Sequence, residues 1–518
     1  MATLSDIRHI VVLMLENRSF DNVLGYLYTD GRDFNGLAHA PGSANPGPDN
    51  TPIAPWTAPG DPAAMSLPAP DPGESFVDIT QQLYGNAPAG GVPPMNGFAA
   101  NYVAHGGNAR DIMHCFSPQD LPALTTLARS YAVSDMWFAS APCQTWPNRF
   151  FVHTGTANGY ENNDLAGFPF PMQSIFNELQ GAQQKWRIYF HDFSQAALLQ
   201  RLWPYFTNFR PFDEFLEDVD SNDMPAYSFL EPRYFPGLDM PCDMHPPHNV
   251  AYGDALVAQV YNAVRNSPNW ASTMLVITFD EHGGCYDHVP PPAAVRPEAP
   301  RPGQVFGFDR YGVRVPAVIV SPYTKPQTIL RSAGPQPFDH TSIIRTVRAC
   351  FGLQNPLSAR EASAPDLSAA LNDSLDVNRA PATLPVTTPA SAANDLHAAQ
   401  TAQPTGLQKL FHQIAEKLDA LTRPDVSVEQ HLQTAVQQTA AQPPFNPAQF
   451  PAINAEQAGA YARGVMQALA AGGATTSGST SGAAGTAGTT GTPVTTPPGI
   501  APSRPNGAGQ QDPYVGGS

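Results

Sequence analysis

Two continuous apolar runs constrain the fold of this chain more than any other feature. Residues 7–15 are almost wholly apolar, and residues 273–279 repeat the same design. A run of this length without polar alternation is typical of a parallel strand that is buried on both faces. Both runs therefore predict strands at the centre of a sheet, covered on each side by other elements.

Shorter patterns fill in the rest of the architecture. Residues 186–190 and 315–320 predict further strands, while residues 121–132, 254–267 and 341–351 have helical spacing. Strands that alternate with helices are typical of an α/β sandwich around a mostly parallel sheet. In such sheets ligands bind beyond the carboxyl ends of the strands, so functional residues are expected there.

The chain divides by composition. Residues 1–380 are expected to form the catalytic domain, in which the Pro/Gly-rich residues 40–96 form a long loop or lid over the functional face. Residues 381–471 contain helical patterns, and residues 472–518 are rich in Gly, Thr, Ser and Pro and are expected to be disordered.

One helical stripe stands out in the second region and could pack on the body or on an unidentified partner. A shorter helical pattern follows at residues 456–470. The apolar positions of the stripe are Leu407, Leu410, Phe411, Ile414, Leu418 and Leu421.

The net charge of −17 argues against a nucleic-acid partner, because such a protein needs a basic face to neutralise phosphates. If the substrate is anionic, its charge must be met locally by a metal ion or by a few Arg and His side chains. No apolar run is long enough to span a bilayer, and no signal peptide is visible. The chain is expected to be soluble, either cytoplasmic or exported by a route without such a signal.

The five cysteines are scattered and have no C-x-x-C spacing. This leaves open one disulfide or five free thiols, and it excludes a disulfide scaffold and a zinc ribbon.

Polar pairs follow both long apolar runs. Glu16-Asn17 ends the first run, and Asp280-Glu281 ends the second. At one edge of a sheet these residues would bring together three carboxylates and an amide oxygen, which repel one another unless a cation is present. Oxygen ligands favour Mg²⁺, Ca²⁺ or Mn²⁺, and Zn²⁺ or Fe is the alternative if histidines join.

A rigid segment, P-C-Q-T-W-P-N-R at residues 142–149, supplies a candidate nucleophile in Thr145. Its prolines fix the backbone, and Arg149 offers a planar fork for phosphate oxygens. An ordinary rigid turn is the alternative reading. The chain has no G-x-S-x-G elbow and no phosphate-binding G-x-x-x-x-G-K-[ST] loop, which argues against an α/β-hydrolase and an NTPase.

Several histidines lie in stiff motifs rich in Pro and Gly, where an imidazole can be held for proton transfer near neutral pH. A single histidine is more often an ordinary hydrogen-bonding residue. The candidates are His114, His245, His248, His282, His288 and His340.

Together these segments resemble the ordered signatures of one phosphoesterase family, which includes bacterial phospholipases C, an acid phosphatase and plant non-specific phospholipases C. The resemblance covers roughly residues 5–355. It is carried by E-N-R-S-F-D at 16–21, T-W-P-N-R at 145–149, H-P-P-H at 245–248, F-D-E-H-G-G at 279–284, Y-D-H-V-P-P-P at 286–292, G-V-R-V-P at 312–316 and F-D-H-T-S at 338–342.

The resemblance implies a fold similar to alkaline phosphatases and sulfatases and a metal-dependent site. By the matching motifs, the metal ligands are Glu16, Asn17, Thr145, Asp280 and Glu281. Thr145 is also the implied nucleophile, and it stands where some relatives have Ser and the plant enzymes have Thr. We expect His245 or His248 to act as the acid.

The remaining candidates are assigned by the same motifs. His114 and His282 are further catalytic candidates, and Arg149, His288 and His340 are candidates for phosphate binding. The implied activity is that of a phospholipase C, which cleaves phosphatidylcholine to diacylglycerol and a phosphorylated head group during transient contact with a membrane. Two alternatives stay open: an acid phosphatase acting on monoesters, and an interaction or delivery module.

Overall fold

A computed structural model of the chain describes residues 2–40, 42–301, 304–389, 392–422 and 454–471. The predicted disordered tail, residues 472–518, lies outside the described residues.

Ten strands occur in this part of the chain, and eight of them form one sheet in the order β10-β4-β9-β8-β1-β7-β5-β6. The remaining two, β2 and β3, pair as a small antiparallel ribbon. The strands are β1 (His9–Leu15), β2 (Asn45–Pro46), β3 (Pro52–Ile53), β4 (Ala132–Ser134), β5 (Trp186–Phe190), β6 (Phe209–Pro211), β7 (Tyr227–Glu231), β8 (Thr273–Phe279), β9 (Ala317–Val320) and β10 (Thr328–Ile329).

The two apolar runs form adjacent strands at the centre of the sheet. β1 pairs in parallel with β8 along its whole length, from His9 opposite Thr273 to Leu15 opposite Phe279, and with β7 on its other side. All residues of β8 and nearly all of β1 are buried, as expected for a strand covered on both faces. The predicted mostly parallel sheet is confirmed, and only β9 runs against its neighbours β8 and β4.

Thirteen α-helices occur in the described ranges. Those of the body form two packed groups, with α4, α7 and α8 together and α5, α6 and α9 together, as expected for an α/β sandwich. The helices are α1 (Phe20–Leu24), α2 (Phe76–Tyr84), α3 (Phe98–Ala104), α4 (Pro122–Ser130), α5 (Thr145–Thr154), α6 (Ile175–Gly181), α7 (Phe212–Asp220), α8 (Val250–Asn266), α9 (Thr341–Phe351), α10 (Ala359–Ser363), α11 (Ala392–Thr401), α12 (Gly406–Thr422) and α13 (Ala455–Ala470).

Helix α8 begins four residues before the helical pattern at 254–267. The side chain of Asn249 accepts a hydrogen bond from the backbone N–H of Ala251 and caps the helix there. The strand predicted at 315–320 begins later, at Ala317, because the N–H of Val315 is already donated to the carbonyl oxygen of Trp137.

The predicted lid segment, residues 40–96, contains local structure of its own. It includes the β2–β3 ribbon and helix α2, whose start is fixed by a reciprocal capping box between Ser75 and Asp78. Ile79 and Leu83 of α2 pack with Phe98 of α3 in a second hydrophobic cluster, separate from the main core. This cluster holds the segment against the body, so that its residues 71–74 are fixed near the ends of the central strands.

Helix α12 packs its apolar stripe against the body. The ring of Phe411 is fully buried and lies 4.9 Å from Phe193 and 4.8 Å from Tyr234, measured between ring centroids. Helix α13 packs along α12, where the hydroxyl of Tyr461 donates to Asp419 over 3.0 Å. The stripe therefore faces the body of this chain; the domain limits at 380 and 471 stay predictions.

The structure also bears on two features that the sequence left open. All five cysteines are free thiols. Among the helices of the described ranges, none combines the length and the apolar character that crossing a membrane requires.

We expect Phe411→Ala to lower the free energy of unfolding by about 3–5 kcal/mol, because it opens a cavity between α12 and the body. Chemical denaturation followed by circular dichroism measures this change. The control is Glu416→Ala, an exposed position on the same helix, which should change stability by less than about 0.5 kcal/mol. Equal stability of the two variants would show that α12 contributes little to the folded body.

Candidate active site

One buried arginine connects three neighbouring strands. Arg149 lies one turn into α5, and its Nη2 donates to Oε1 of Glu16 over 2.6 Å. Its Nε donates to Oδ2 of Asp280 over 3.2 Å, and its Nη1 lies 3.4 Å from Oε2 of Glu231. Glu16 follows β1, Asp280 follows β8 and Glu231 ends β7, so a single guanidinium ties the carboxyl ends of the three central strands.

Two further side chains donate hydrogen bonds to the acids that pair with Arg149. Nε2 of Gln195 donates to Oε1 of Glu16 over 2.7 Å, and the hydroxyl of Tyr234 donates to Oε2 of Glu231 over 2.7 Å. The sequence analysis missed Glu231, Gln195 and Tyr234. Only Glu231 had a signal, as an acid that ends an apolar run.

The polar ends of β1 and β8 are bonded to each other. The backbone N–H groups of Asn17 and Glu281 both donate to Oδ1 of Asp280, over 3.0 and 2.8 Å. Asn17 adopts a left-handed conformation with φ of 56°. Gly283 has φ of 59°, and a Cβ there would lie 2.3 Å from the carbonyl oxygen of Asn17, so only glycine lets the two strand ends approach this closely.

Four buried oxygens of the predicted metal ligands have no hydrogen-bond partner among the described residues. A buried oxygen without a partner calls for an explanation, and a bound ion or an ordered water is one of them. The carboxylate and amide oxygens are hard donors of the kind that divalent cations prefer, so this cluster is compatible with a divalent metal ion. The four atoms are Oε2 of Glu16, Oδ1 of Asn17, Oγ1 of Thr145 and Oε1 of Glu281.

The charges of this cluster are not balanced by the protein alone. Burial raises the pKa of Glu16 well above its ordinary value, Arg149 opposes this rise, and Asp280 adds to it. Burial and then the charge of Asp280 raise the pKa of Glu281 in the same way. A cation at these carboxylates would favour their ionised forms and offset the cost of burying them.

The lid segment contributes two acids that the sequence analysis missed. Glu74 accepts a hydrogen bond from Nδ2 of Asn17, and its Oε1 lies 3.5 Å from Nε2 of His245. Oδ1 of Asp71 lies 3.7 Å from Nδ1 of the same imidazole. Ligand atoms of Asp71, Glu74 and His245 all lie within 4.8 Å of one another. The D-P-G-E sequence at 71–74 was the available signal, hidden in a segment with little periodicity.

His248 is oriented by a carboxylate. Its Nδ1 donates to Oδ1 of Asp243 over 2.6 Å, and the same oxygen accepts the backbone N–H of His245 over 3.0 Å. The carbonyl of Asp243 accepts the N–H of Glu16 over 2.8 Å, which connects this loop to the end of β1. Burial would lower the pKa of His248, but the charge of Asp243 and its hydrogen bond outweigh burial and raise that pKa.

His282 and His340 are fully buried and bonded to protein groups. Nε2 of His282 donates to Oε1 of Gln82 over 2.8 Å, and burial lowers its pKa to about 3. Nε2 of His340 donates to the carbonyl oxygen of Asp280 over 2.5 Å. These contacts suit side chains that position the carboxylate cluster, whereas the predicted catalytic role of His282 and phosphate-binding role of His340 stay predictions.

His288 lies in a separate ionic network. Its Nδ1 donates to Oδ2 of Asp21 over 2.6 Å, and Arg314 pairs with Asp21 and Asp287 over 2.9 and 3.0 Å. Asp21, Asp287 and His288 have the spacing of metal ligands, but Arg314 already supplies the positive charge there. The structure does not bring His288 into contact with the carboxylates around Arg149.

His114 is buried between two aromatic rings, 4.7 Å from Trp56 and 4.9 Å from Phe116 between ring centroids. Neither of its ring nitrogens has a hydrogen-bond partner among the described residues, and burial lowers its pKa to about 4. Its contacts are with these rings, and its predicted catalytic role stays a prediction.

The sequence pattern predicted that Arg149 binds phosphate, whereas its three ion pairs favour a positioning role. We expect Arg149→Lys to lower the free energy of unfolding by about 3 kcal/mol or more without substrate, because a lysine cannot pair with three carboxylates at once. Differential scanning fluorimetry of the substrate-free variant measures this loss. Unchanged stability together with a raised KM would instead support phosphate binding.

Comparisons with known proteins identify the family of this chain. A family model described as "Phosphoesterase family" matches residues 7–354, which include every candidate site residue. The chain belongs to the phosphoesterase family. It is accordingly a phosphoric ester hydrolase.

Curated relatives carry phospholipase names. Non-specific phospholipase C3 of Arabidopsis thaliana is 36% identical over 74% of this chain and 76% of its own length. Non-specific phospholipase C1 of the same plant is 38% identical, over 67% of this chain and 68% of its own length. Phospholipase C B of Mycobacterium tuberculosis is 28% identical over 71% of this chain and 78% of its own length.

Similar solved structures include a protein in the alkaline phosphatase superfamily from Vibrio parahaemolyticus, 13% identical over 47% of this chain and 64% of that chain, with a TM-score of 0.30. The lipoteichoic acid synthase LtaP from Listeria monocytogenes is 16% identical over 49% of this chain and 70% of that chain, also with a TM-score of 0.30. Because both TM-scores are low, the fold of this phosphoesterase is described from the strand order of its own sheet and not from these structures.

Proposed function

We propose that this phosphoesterase is a metal-dependent phospholipase C that cleaves the glycerol–phosphate ester of phosphatidylcholine, with Thr145 as the nucleophile. The observation that carries the proposal is the Thr145 hydroxyl, which is fully buried, lacks a hydrogen-bond partner in the described part of the chain, and begins the helix that carries Arg149. The names of the plant and mycobacterial relatives support the substrate class.

The residues that would hold the metal ion are Glu16, Asn17, Thr145, Asp280 and Glu281, four of which have an unpaired buried oxygen. When bound, a divalent ion supplies positive charge that favours an ionised hydroxyl and neutralises a phosphoryl oxygen. Its identity among Mg²⁺, Ca²⁺, Mn²⁺ and Zn²⁺ is left to metal analysis of the purified protein.

In the first step, Oγ1 of Thr145 attacks phosphorus in line with the glycerol oxygen. The hydroxyl proton of Thr145 is released to water, a bond forms between Oγ1 and phosphorus, the bond from phosphorus to glycerol breaks, and diacylglycerol leaves once its oxygen receives a proton. The position of Thr145 on the first turn of α5 supports this role, because the positive end of a helix favours the developing negative charge.

The proton for the leaving group would come from His248. Asp243 fixes the tautomer of this imidazole by accepting from Nδ1, which leaves Nε2 as the proton donor, and it raises the pKa of the group. His245 lies next to it and is the second candidate. In the second step the same imidazole, now neutral, takes a proton from water, which attacks phosphothreonine. Phosphocholine is released, and the Thr145 oxygen regains from water the proton that it lost in the first step.

We expect Thr145→Ala to lower the turnover of phosphatidylcholine by about three orders of magnitude or more, because the nucleophile is removed. Thr145→Ser is the matched control and should keep turnover within about tenfold of the native protein, since the hydroxyl remains. Release of phosphocholine is measured with each protein, with chelator and after readdition of each divalent ion.

Near-normal turnover of Thr145→Ala with metal bound would exclude the covalent step. Hydrolysis of a simple phosphate monoester without release of phosphocholine would make the protein an acid phosphatase instead of a phospholipase C.

A second prediction concerns the pH dependence of kcat/KM. The acid must be protonated, so activity is lost as the pH rises through the pKa of His248, which Asp243 holds above its ordinary value of 6.5. Asp243→Asn removes this charge, and we expect the alkaline limb to move to lower pH by about one unit or more. The amide oxygen can still accept the N–H of His245, so the loop should stay in place. An alkaline limb that does not move would exclude His248 as the acid.

A further inference from the structure

An apolar patch reaches the surface beside the candidate active site. We name it the apolar rim and define it as Phe76, Val77, Val305 and Phe306. The side chains of Val77 and Val305 are 69% and 80% exposed, and each is the chain neighbour of a rim phenylalanine, so they belong to one patch of the kind that marks interaction sites. The rings of Phe76 and Phe306 lie 4.8 Å apart between centroids and join the start of α2 to the loop around residue 305.

The rim is continuous with the segment of the candidate nucleophile. Phe306 and Phe308 form a small buried cluster with Cys143, which lies two residues before Thr145, and Phe76 packs against this cluster. On the other side, Phe76 lies two residues after Glu74, which bonds Asn17. A buried apolar cluster therefore connects the base of the rim to the segment that carries Thr145.

A cation lies at the edge of the rim. The guanidinium carbon of Arg310 is 5.9 Å from the centroid of the Phe306 ring and 5.4 Å from that of Tyr84. Nη1 of Arg310 donates to the hydroxyl of Tyr84 over 3.0 Å, and no carboxylate of the described residues pairs with this guanidinium. A partly exposed arginine next to exposed valines suits the boundary between lipid phosphates and acyl chains.

From this arrangement we infer that the apolar rim docks on the surface of a phospholipid aggregate. Val77 and Val305 insert between the lipids and Arg310 contacts phosphates, so that the segment carrying Thr145 is held against the lipid surface. The occupant follows from continuity with the site: the partner of the rim must offer apolar chains to the valines and phosphoesters to the segment of Thr145, and a phospholipid aggregate offers both. This inference rests on the proposed function, because it names the lipid surface as the partner of that same site.

The experiment uses Val77→Asp combined with Val305→Asp. Both positions are exposed, and an acid in the first turn of α2 is compatible with the helix dipole, so the variant should fold. The matched control is Val377→Asp, which also replaces an exposed valine. The carbonyl of Val377 accepts a hydrogen bond from Nε1 of Trp270, and Trp270 lies just before the start of β8. Val377 is therefore at the edge of the sheet opposite to the candidate site. Circular dichroism verifies the fold of each protein.

Binding is measured by co-sedimentation with phosphatidylcholine vesicles, with Thr145→Ala as the background so that the lipid is not consumed. We expect the double variant to bind about tenfold more weakly than the background alone, since two charges replace two inserting side chains. The Val377→Asp control should bind as the background does. Equal binding by all three proteins would overturn the inference whatever the outcome for hydrolysis.

Hydrolysis is measured with Thr145 present, on phosphatidylcholine vesicles and on the soluble diester p-nitrophenylphosphorylcholine. We expect the double variant to lose about tenfold or more of its activity on vesicles and to keep its activity on the soluble diester. An equal loss on both substrates would overturn the rim as a docking surface and make it part of the catalytic machinery. A native protein that cleaves neither substrate would overturn the proposed function, while the binding measurement would still decide on the rim.

Discussion

The guanidinium of Arg149 pairs with carboxylates at the ends of three adjacent strands, and the geometry of the candidate site depends on this contact. A buried arginine is stable only when its donors are satisfied, and Glu16, Asp280 and Glu231 satisfy them in the network. Each acid comes from a different strand, so the arginine fixes the relative position of β8, β1 and β7 at the edge where ligands bind in parallel sheets. Removing one partner would leave a buried charge, and the register of the site would be lost with it.

The same contact positions the candidate nucleophile. Thr145 and Arg149 are four residues apart on α5 and therefore lie on one face of the helix. Once Arg149 is bonded to the strand ends, the rotation of α5 about its axis is fixed, and so is the direction in which the side chain of Thr145 leaves the helix. The hydroxyl has no hydrogen-bond partner in the described chain, so its position is set by the orientation of helix α5. That orientation is in turn fixed by the ion pairs of Arg149.

The central strands and the acids at their ends could be predicted from sequence, because a buried parallel strand carries its signal in every residue from 273 to 279. The part that failed depends on contacts distant in the chain. Glu74 contacts Asn17 because the packing of α2 on α3 holds its segment against the body. The residues around Glu74 do not predict that packing. The partners of Arg149 are 82 to 133 residues away in the chain, so its motif alone could not distinguish an arginine that binds phosphate from one that pairs with buried carboxylates.

Charge sets the last constraint on function. The site contains two further acids, Glu74 and Glu281, in addition to those that pair with Arg149. Burial raises the pKa of both. A phosphodiester is itself an anion, and these carboxyl groups disfavour its binding wherever they are ionised. The arginine cannot turn toward the substrate without leaving three buried charges unpaired. The acidic oxygens are compatible with a divalent cation, and such a cation would offset the negative charge that a phosphoester brings to this site.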